Sequence, residues 1–189
     1  METLEALNAR STAKTYGGNA PTEAHLAQVL QAAVRAPDHG RLRPWRFMLI
    51  SGDQRHKFGD LLAASASRRV PGLAAGDLQR ERDKALRAPL IIVTVCRVVP
   101  GTKVPAIEQI LAAGAATQNM LLALHALGYA SAWKTGEAAY DPEMKKALGL
   151  ASDDHIVGFV YTGGAGAGGA AAAPGKPASI QEAMLEFPG

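Results

Sequence analysis

The chain has 189 residues, a length suited to one domain with a sizeable core, or one domain with arms. Its net charge of +3 permits anionic ligands but lacks the basic excess of a dedicated nucleic-acid binder, so no nucleic-acid partner is expected. The single cysteine, Cys96, excludes an intrachain disulfide, and the start Met1–Glu5 shows no signal-peptide pattern, so a cytoplasmic location is the expectation.

In chain order, a short helix precedes Ala9. Thr22 caps a predicted helix from Glu23 to about Val34. A connection, Arg35–Phe47, is bracketed by Pro37 and Pro44, each of which restricts its own φ and the residue before it. It feeds a strand at 45–51. Residues 53–69 and 77–87 combine charge with helical apolar spacing and read as surface helices, broken at Val70-Pro71-Gly72. The β-branched run Ile91–Val95 marks a strand at 90–97 that encloses Cys96 as a core thiol.

The longest apolar run, 107–127, is interrupted by Gln109, Gln118, Asn119 and His125, and reads as a buried helix rather than a membrane span; no membrane partner is expected. Its small residues Ala112–Ala116 suit close approach of a neighbouring backbone, as against a twin helix. Strands at 129–134 and 155–162 flank a short helix that Asp141 caps, Pro142 opens and Gly149 ends. Residues 1–163 therefore form the folded domain, 164–177 a Gly/Ala/Pro-rich linker, and 178–189 a C-terminal arm. Gly164–Gly169 fits G-x-G-x-x-G, but Pro174 and Pro177 interrupt the helix that a dinucleotide fingerprint needs. Metal-ligand spacings are absent from the sequence, and no metal is expected.

Three segments carry candidate chemistry. Arg10-Ser11-Thr12-Ala13-Lys14 offers two cations and two hydroxyls to a phosphate; the same residues also suit an ordinary basic helix end. Four arginines and His39 in or beside the Arg35–Phe47 connection suit an anionic, planar ligand, although His39 could equally cap its own loop. Gly128-Tyr129-Ala130-Ser131-Ala132-Trp133-Lys134-Thr135-Gly136 ends in a glycine that lets main chain approach a ring, whereas Trp133 taken alone reads as core.

Taken together, these segments resemble the FMN-dependent nitroreductase family, in its compact branch. Arg10, Ser11 and Lys14 are similar to its Arg-Arg-Ser-x-x-basic opening; Ala-Pro-x-x-x-x-x-x-Pro-Trp-x-Phe resembles its helix–loop–strand signature; Gly128–Gly136 resembles its Gly-x-x-x-x-Trp-x-x-Gly turn. The run Gly158-Phe159-Val160-Tyr161-Thr162-Gly163 resembles its late strand.

The resemblance implies an α+β fold, with a mainly antiparallel central sheet surrounded by helices, in an intertwined homodimer with a C-terminal arm and FMN at the interface. It implies flavin contacts from Arg10, Ser11, Thr12, Lys14, Trp133, Lys134, Thr135 and Gly136. Arg35, Pro37, Asp38, His39, Arg41 and Arg43 are implied to reach the flavin of the other subunit. Ala9 stands where the family has its first arginine, and Arg35 or Lys176 is a candidate replacement. Arg41 and Arg43, where Asn or Ser and Gln are commoner, are further candidates to compensate.

The implied activity is reduction of nitroaromatics, quinones or similar small-molecule acceptors with NAD(P)H. Hydride would pass through flavin N5 by ping-pong kinetics, near backbone of Thr135 and Gly136, with no side chain as obligatory acid or base. Alternatives are a specialised flavin enzyme of the same fold, of dehalogenating or flavin-fragmenting type, or a basic nucleic-acid module using Arg35, Arg41, Arg43 and Arg46. The latter lacks interleaved aromatic platforms.

Overall fold

The computed structural model describes residues 1–165 together with Ser179, Ala183 and Met184. Its framework is a four-stranded, wholly antiparallel sheet in the order β1-β2-β4-β3. The strands are β1 (Trp45–Ser51), β2 (Leu90–Cys96), β3 (Tyr129–Lys134) and β4 (His155–Gly164). The helices are α1 (Thr3–Ala9), α2 (Glu23–Ala33), α3 (Gln54–Arg69), α4 (Ala75–Asp83), α5 (Ala106–Ala126) and α6 (Pro142–Ala147).

Every residue of β2 is buried, because both faces of the sheet are covered. This explains why the strand is a continuous apolar run rather than the in–out alternation of a half-wet antiparallel sheet. Its side chains still divide by parity. Leu90, Ile92 and Cys96 pack with α2 and α5, while Ile91, Val93 and Val95 pack with Phe58 and Leu62 of α3 and Met144 of α6. Three layers result, helices–sheet–helices. The small residues Ala112, Ala113 and Ala116 let α5 lie close on its own sheet and on α2. The other side of α5 leaves Ile107 and Leu111 exposed.

Helix ends follow the expected chemistry. Thr22 Oγ1 accepts from His25 N at the start of α2, and Asp141 accepts from Glu143 N ahead of Pro142 in α6. Several boundaries differ from expectation, the strand expected at 90–97 ending at Cys96 among them. The predicted helix over 77–87 begins earlier, at Ala75, and tightens into a 3-10 turn at Lys84–Leu86, which brings buried Ala85 under the sheet. Strand β4 runs on to Gly164, one residue past the expected domain boundary, because Gly164 pairs with Tyr129 and bridges Gly17. The remainder of the G-x-G-x-x-G stretch, Lys176 and nearly all of the expected linker and arm lie outside the described residues. Among the described residues, no helix is long and apolar enough to cross a membrane.

The β2–β4 register shifts between Thr94 and Val95, so Val157 is skipped in the pairing. The carbonyl of Val157 accepts the indole N–H of Trp133 at 3.1 Å instead. Gly158, the next residue, gives that indole its room: a Cβ there would overlap Trp133 Nε1. Trp133 is accordingly a half-exposed residue anchored on the edge of the sheet, not a core aromatic.

Candidate functional site

Segment 10–19 meets the sheet at two points, Ser131 on the edge strand β3 and Gly164 at the end of β4. Ala13 N donates to Ser131 O at 2.9 Å, and Gly17 bridges Gly164, so residues expected to hold a phosphate run along the strand that leads into Trp133–Gly136. The contact at Ser131 also occupies part of an otherwise open sheet edge. Lys14 and Tyr16 thereby meet Lys134, Thr135 and Gly136 around one cavity of about 290 Å³. That volume is near the lower bound of small-molecule pockets, roughly 300–1,000 Å³.

The far wall of the cavity comes from Ser65, Ala66 and Arg69 of α3, and from Glu81, Lys84 and Arg87 around the end of α4; Phe159 and Tyr161 form its floor. The side chains Lys14, Arg69, Lys84, Arg87 and Lys134 face only Glu81 and Glu137 in opposition, so the cavity favours an anionic ligand. Lys84 Nζ bonds both carboxylate oxygens of Glu81, at 2.5 and 2.6 Å. A carboxylate acceptor flanked by cationic donors matches a planar ring edge that presents an N–H between carbonyls. Tyr16 and Tyr161 have ring centroids 6.2 Å apart. Burial pushes both phenols up to about 12, partly offset by the charge of Arg87, and they stay neutral donors at physiological pH.

Glu81, Lys84 and Arg87 escaped the sequence reading because charged residues on an expected surface helix look like a solvated face. Their spacing of three was the available signal. Glu81 lies in the last turn of α4, Lys84 opens the 3-10 turn and Arg87 follows it, and residues three apart on a helix end are neighbours on one side.

Two features fit an FMN-sized ligand. Among the described residues Ser11 Oγ, Thr94 Oγ1 and His125 Nε2 are buried without a hydrogen-bond partner, and Ser11 is the one on the segment that leads to Lys14, just outside the cavity lining. Gly136 has φ +69°, and open space surrounds the point where a side chain would stand, so its main chain is accessible. Arg10 and Thr12 flank Ser11 on the same segment, outside the cavity lining, and among the described residues their side chains make no hydrogen bond.

The loop after α2 lies elsewhere. It precedes β1, whereas Gly136 follows β3, and these are opposite edge strands of the sheet. Both loops leave the same end of the sheet, but three strand spacings apart, about 14 Å. A single protomer thus joins Lys14 with Lys134–Gly136 and leaves Arg35–Arg43 out of the cavity.

The loop itself is sharply shaped. Gly40, Arg41 and Arg43 all have left-handed backbone, with φ of 74°, 54° and 48°. For a non-glycine residue this conformation costs about 1–2 kcal/mol. Asp38 holds it in place: its Oδ2 accepts from Arg43 N at 2.6 Å, and its carbonyl accepts from Arg41 N. Arg46 Nη1 spans the carbonyls of Arg43 and Trp45 at 2.8 and 2.7 Å. His39 Nδ1 meets Glu108 Oε2 of α5 at 2.5 Å. Asp38 therefore works on the backbone, and Arg35, Pro37, His39, Arg41 and Arg43 are exposed. Among the described residues no group of His, Cys, Asp or Glu side chains could hold a metal ion.

The model of the nitroreductase family matches residues 7–164. Over 167 residues the chain is 38% identical to the NAD(P)H nitroreductase-type protein YdjA of Escherichia coli (strain K12), covering 86% of this chain and 88% of that protein. A Haemophilus influenzae relative of the same description is 32% identical over 164 residues, with the same coverages of 86% and 88%. Among solved structures, a nitroreductase-like family protein from Bacillus cereus superposes with a TM-score of 0.84 at 24% identity, covering 100% of this chain and 97% of that one. A Desulfovibrio desulfuricans structure solved in complex with FMN gives a TM-score of 0.74 at 25% identity, covering 98% and 96%.

Proposed function

Because the chain belongs to the nitroreductase family, we propose that it is an FMN-dependent oxidoreductase that uses NAD(P)H to reduce nitroaromatics, quinones or similar acceptors. The observation that carries this reading is the cavity where Lys14, Glu81, Lys84 and Lys134–Gly136 converge. FMN held here would supply the hydride-carrying chemistry between NAD(P)H and the acceptor, and the cavity residues would hold and orient it.

The chain's own residues bind and orient. Arg10, Ser11 and Thr12 take the phosphate, with the unpartnered Ser11 hydroxyl as one donor. Glu81, Lys14 and Lys84 would hold the polar edge of the ring, the carboxylate as acceptor and the two ammonium groups as donors. These cations also favour negative charge on the pyrimidine end of the ring, which raises its affinity for electrons. The accessible main chain at Thr135 and Gly136 brings a backbone N–H to the reacting edge. Trp133, tied to Val157 O, fixes the strand end from which that turn departs.

Completion of the site requires a second copy of the chain. The loop Arg35–Arg43 projects from the edge opposite the cavity, and Ile107, Leu111, Leu4 and Leu7 are exposed on α5 and α1. A homodimer that covers these residues would seat each loop at the other protomer's cavity. One open ring face shared by reductant and acceptor makes them alternate, giving ping-pong kinetics.

The test is direct. Purified protein should be yellow, release FMN on denaturation, and bleach under anaerobic NAD(P)H. Protein that remains flavin-free after incubation with FMN refutes the reading.

A further inference from the structure

We propose that Arg41 and Arg43 form a binding site for the 2′-phosphate of NADPH and make the protein select NADPH over NADH. The inference rests on the flavin reading above, because it places this loop beside the ring that receives hydride.

Four arginines lie in or next to the loop, but they are not equivalent. The guanidinium of Arg46 is occupied by the carbonyls of Arg43 and Trp45. Asp38, the nearest carboxylate in sequence, accepts from the Arg43 backbone and forms an ion pair with neither Arg41 nor Arg43. Among the described residues the side chains of Arg35, Arg41 and Arg43 make no hydrogen bond or ion pair and all three are exposed, but only Arg41 and Arg43 sit on left-handed backbone within the loop. Their charges are therefore available to a ligand.

The backbone points the same way. Arg41 and Arg43 adopt left-handed φ of 54° and 48°. Strain of this kind, held at non-glycine positions by dedicated hydrogen bonds, collects where a loop presents side chains to a ligand. Asparagine or glycine would meet this backbone requirement with less strain, so the arginines need another reason to be there. Two residues apart, they can place two guanidinium forks on one dianion.

The 2′-phosphate is the one group that distinguishes NADPH from NADH, and it is a dianion near neutral pH. A dinucleotide is longer than this cavity, so with its nicotinamide at the ring its adenosine end would lie outside the cavity, where the exposed loop arginines are. In the flavin reading the FMN phosphate takes its donors from Arg10–Thr12, on the segment that meets the other edge of the sheet at Ser131, which leaves these arginines unassigned.

The experiment compares 2′,5′-ADP with 5′-AMP by calorimetry on the FMN-loaded protein, since the pair differs only in the 2′-phosphate. In parallel, kcat/KM is measured for NADPH and NADH. Wild type should favour 2′,5′-ADP and NADPH by about tenfold or more. In R41N/R43N, where asparagine tolerates the left-handed backbone, both preferences should fall to near unity, and R41N and R43N singly should each lose part. Equal binding of the two nucleotides by wild type overturns the proposal. So does a double variant that keeps the preference, or one that loses its FMN, which would assign the arginines to the flavin. Bound FMN is quantified in every sample. A wild type that holds no FMN refutes the flavin reading and this proposal with it, whereas a wild type that holds FMN but binds the two nucleotides equally refutes this proposal alone.

Discussion

His39 Nδ1 lies 2.5 Å from Glu108 Oε2, joining the loop after α2 to the first turn of α5 across 69 positions of sequence. The pair is a mounting bracket for the loop rather than a stabiliser of the fold, since both side chains are substantially solvated. Exposed ion pairs contribute about 0–1 kcal/mol. Glu108→Ala should therefore leave the unfolding midpoint nearly unchanged in thermal denaturation. It should nevertheless weaken FMN binding several-fold in fluorescence titration, because the loop loses its anchor. A large drop in stability with unaltered FMN affinity would reverse this assignment.

Gly158 and Trp133 depend on one another. A methyl group at 158 would overlap the indole nitrogen and lie 2.9 Å from the carbonyl of Lys134. Gly158→Ala should cost about 1–3 kcal/mol, the usual range for an overpacked position. It should also break the bond to Val157 O and shift Trp133 fluorescence. Denaturant titration and emission spectra check both effects, and FMN affinity should fall with them because Thr135 and Gly136 follow the displaced strand end.

The paired phenols make stability fall at alkaline pH. Tyr16 and Tyr161 have folded values pushed up to about 12 by burial, against about 10 unfolded. The folded state then holds protons that the unfolded state has released, so the contribution is intact below pH 10 and is lost as pH rises toward about 12. Denaturation midpoints measured from pH 9 to pH 12 should decline, and Tyr161→Phe should flatten the decline.

Asp141 works in the opposite direction. Burial alone would raise its carboxyl, but hydrogen bonds from Ser65, Arg68 and Glu143 N and the Arg68 charge outweigh it and hold it below the usual carboxylate range. The stabilisation is present above the unfolded value and is lost as pH falls through the folded one. Asp141→Ala should cost about 1–2 kcal/mol through loss of the α6 cap. Urea titrations at pH 7 and pH 3 should show the difference between variant and wild type shrinking in acid.

The local elements were legible in the sequence because they obey short-range rules. The β-branched run Ile91–Val95, the cap at Thr22 and the Asp141-Pro142 start each reflect backbone sterics or the nearest hydrogen-bonding group. Residues Lys14 and Lys134–Gly136 could also be named in advance, on family resemblance, and the fold brings them to one cavity. Tertiary structure alone decided the rest. Glu81, Lys84 and Arg87 line that cavity because they are spaced three apart across the end of α4 and the 3-10 turn that follows, which packs Ala85 into the core beside the sheet. The loop Arg35–Arg43 is separated from it because strand order, set by long-range pairing, sends β1 and β3 to opposite edges. The left-handed backbone of Arg41 and Arg43 likewise depends on contacts the spelling does not encode. Asp38 and Arg46 must close on the loop before two bulky residues accept that conformation. Sequence thus determined which residues carry charge and which segments turn, while the sheet topology determined which of those charges face one another.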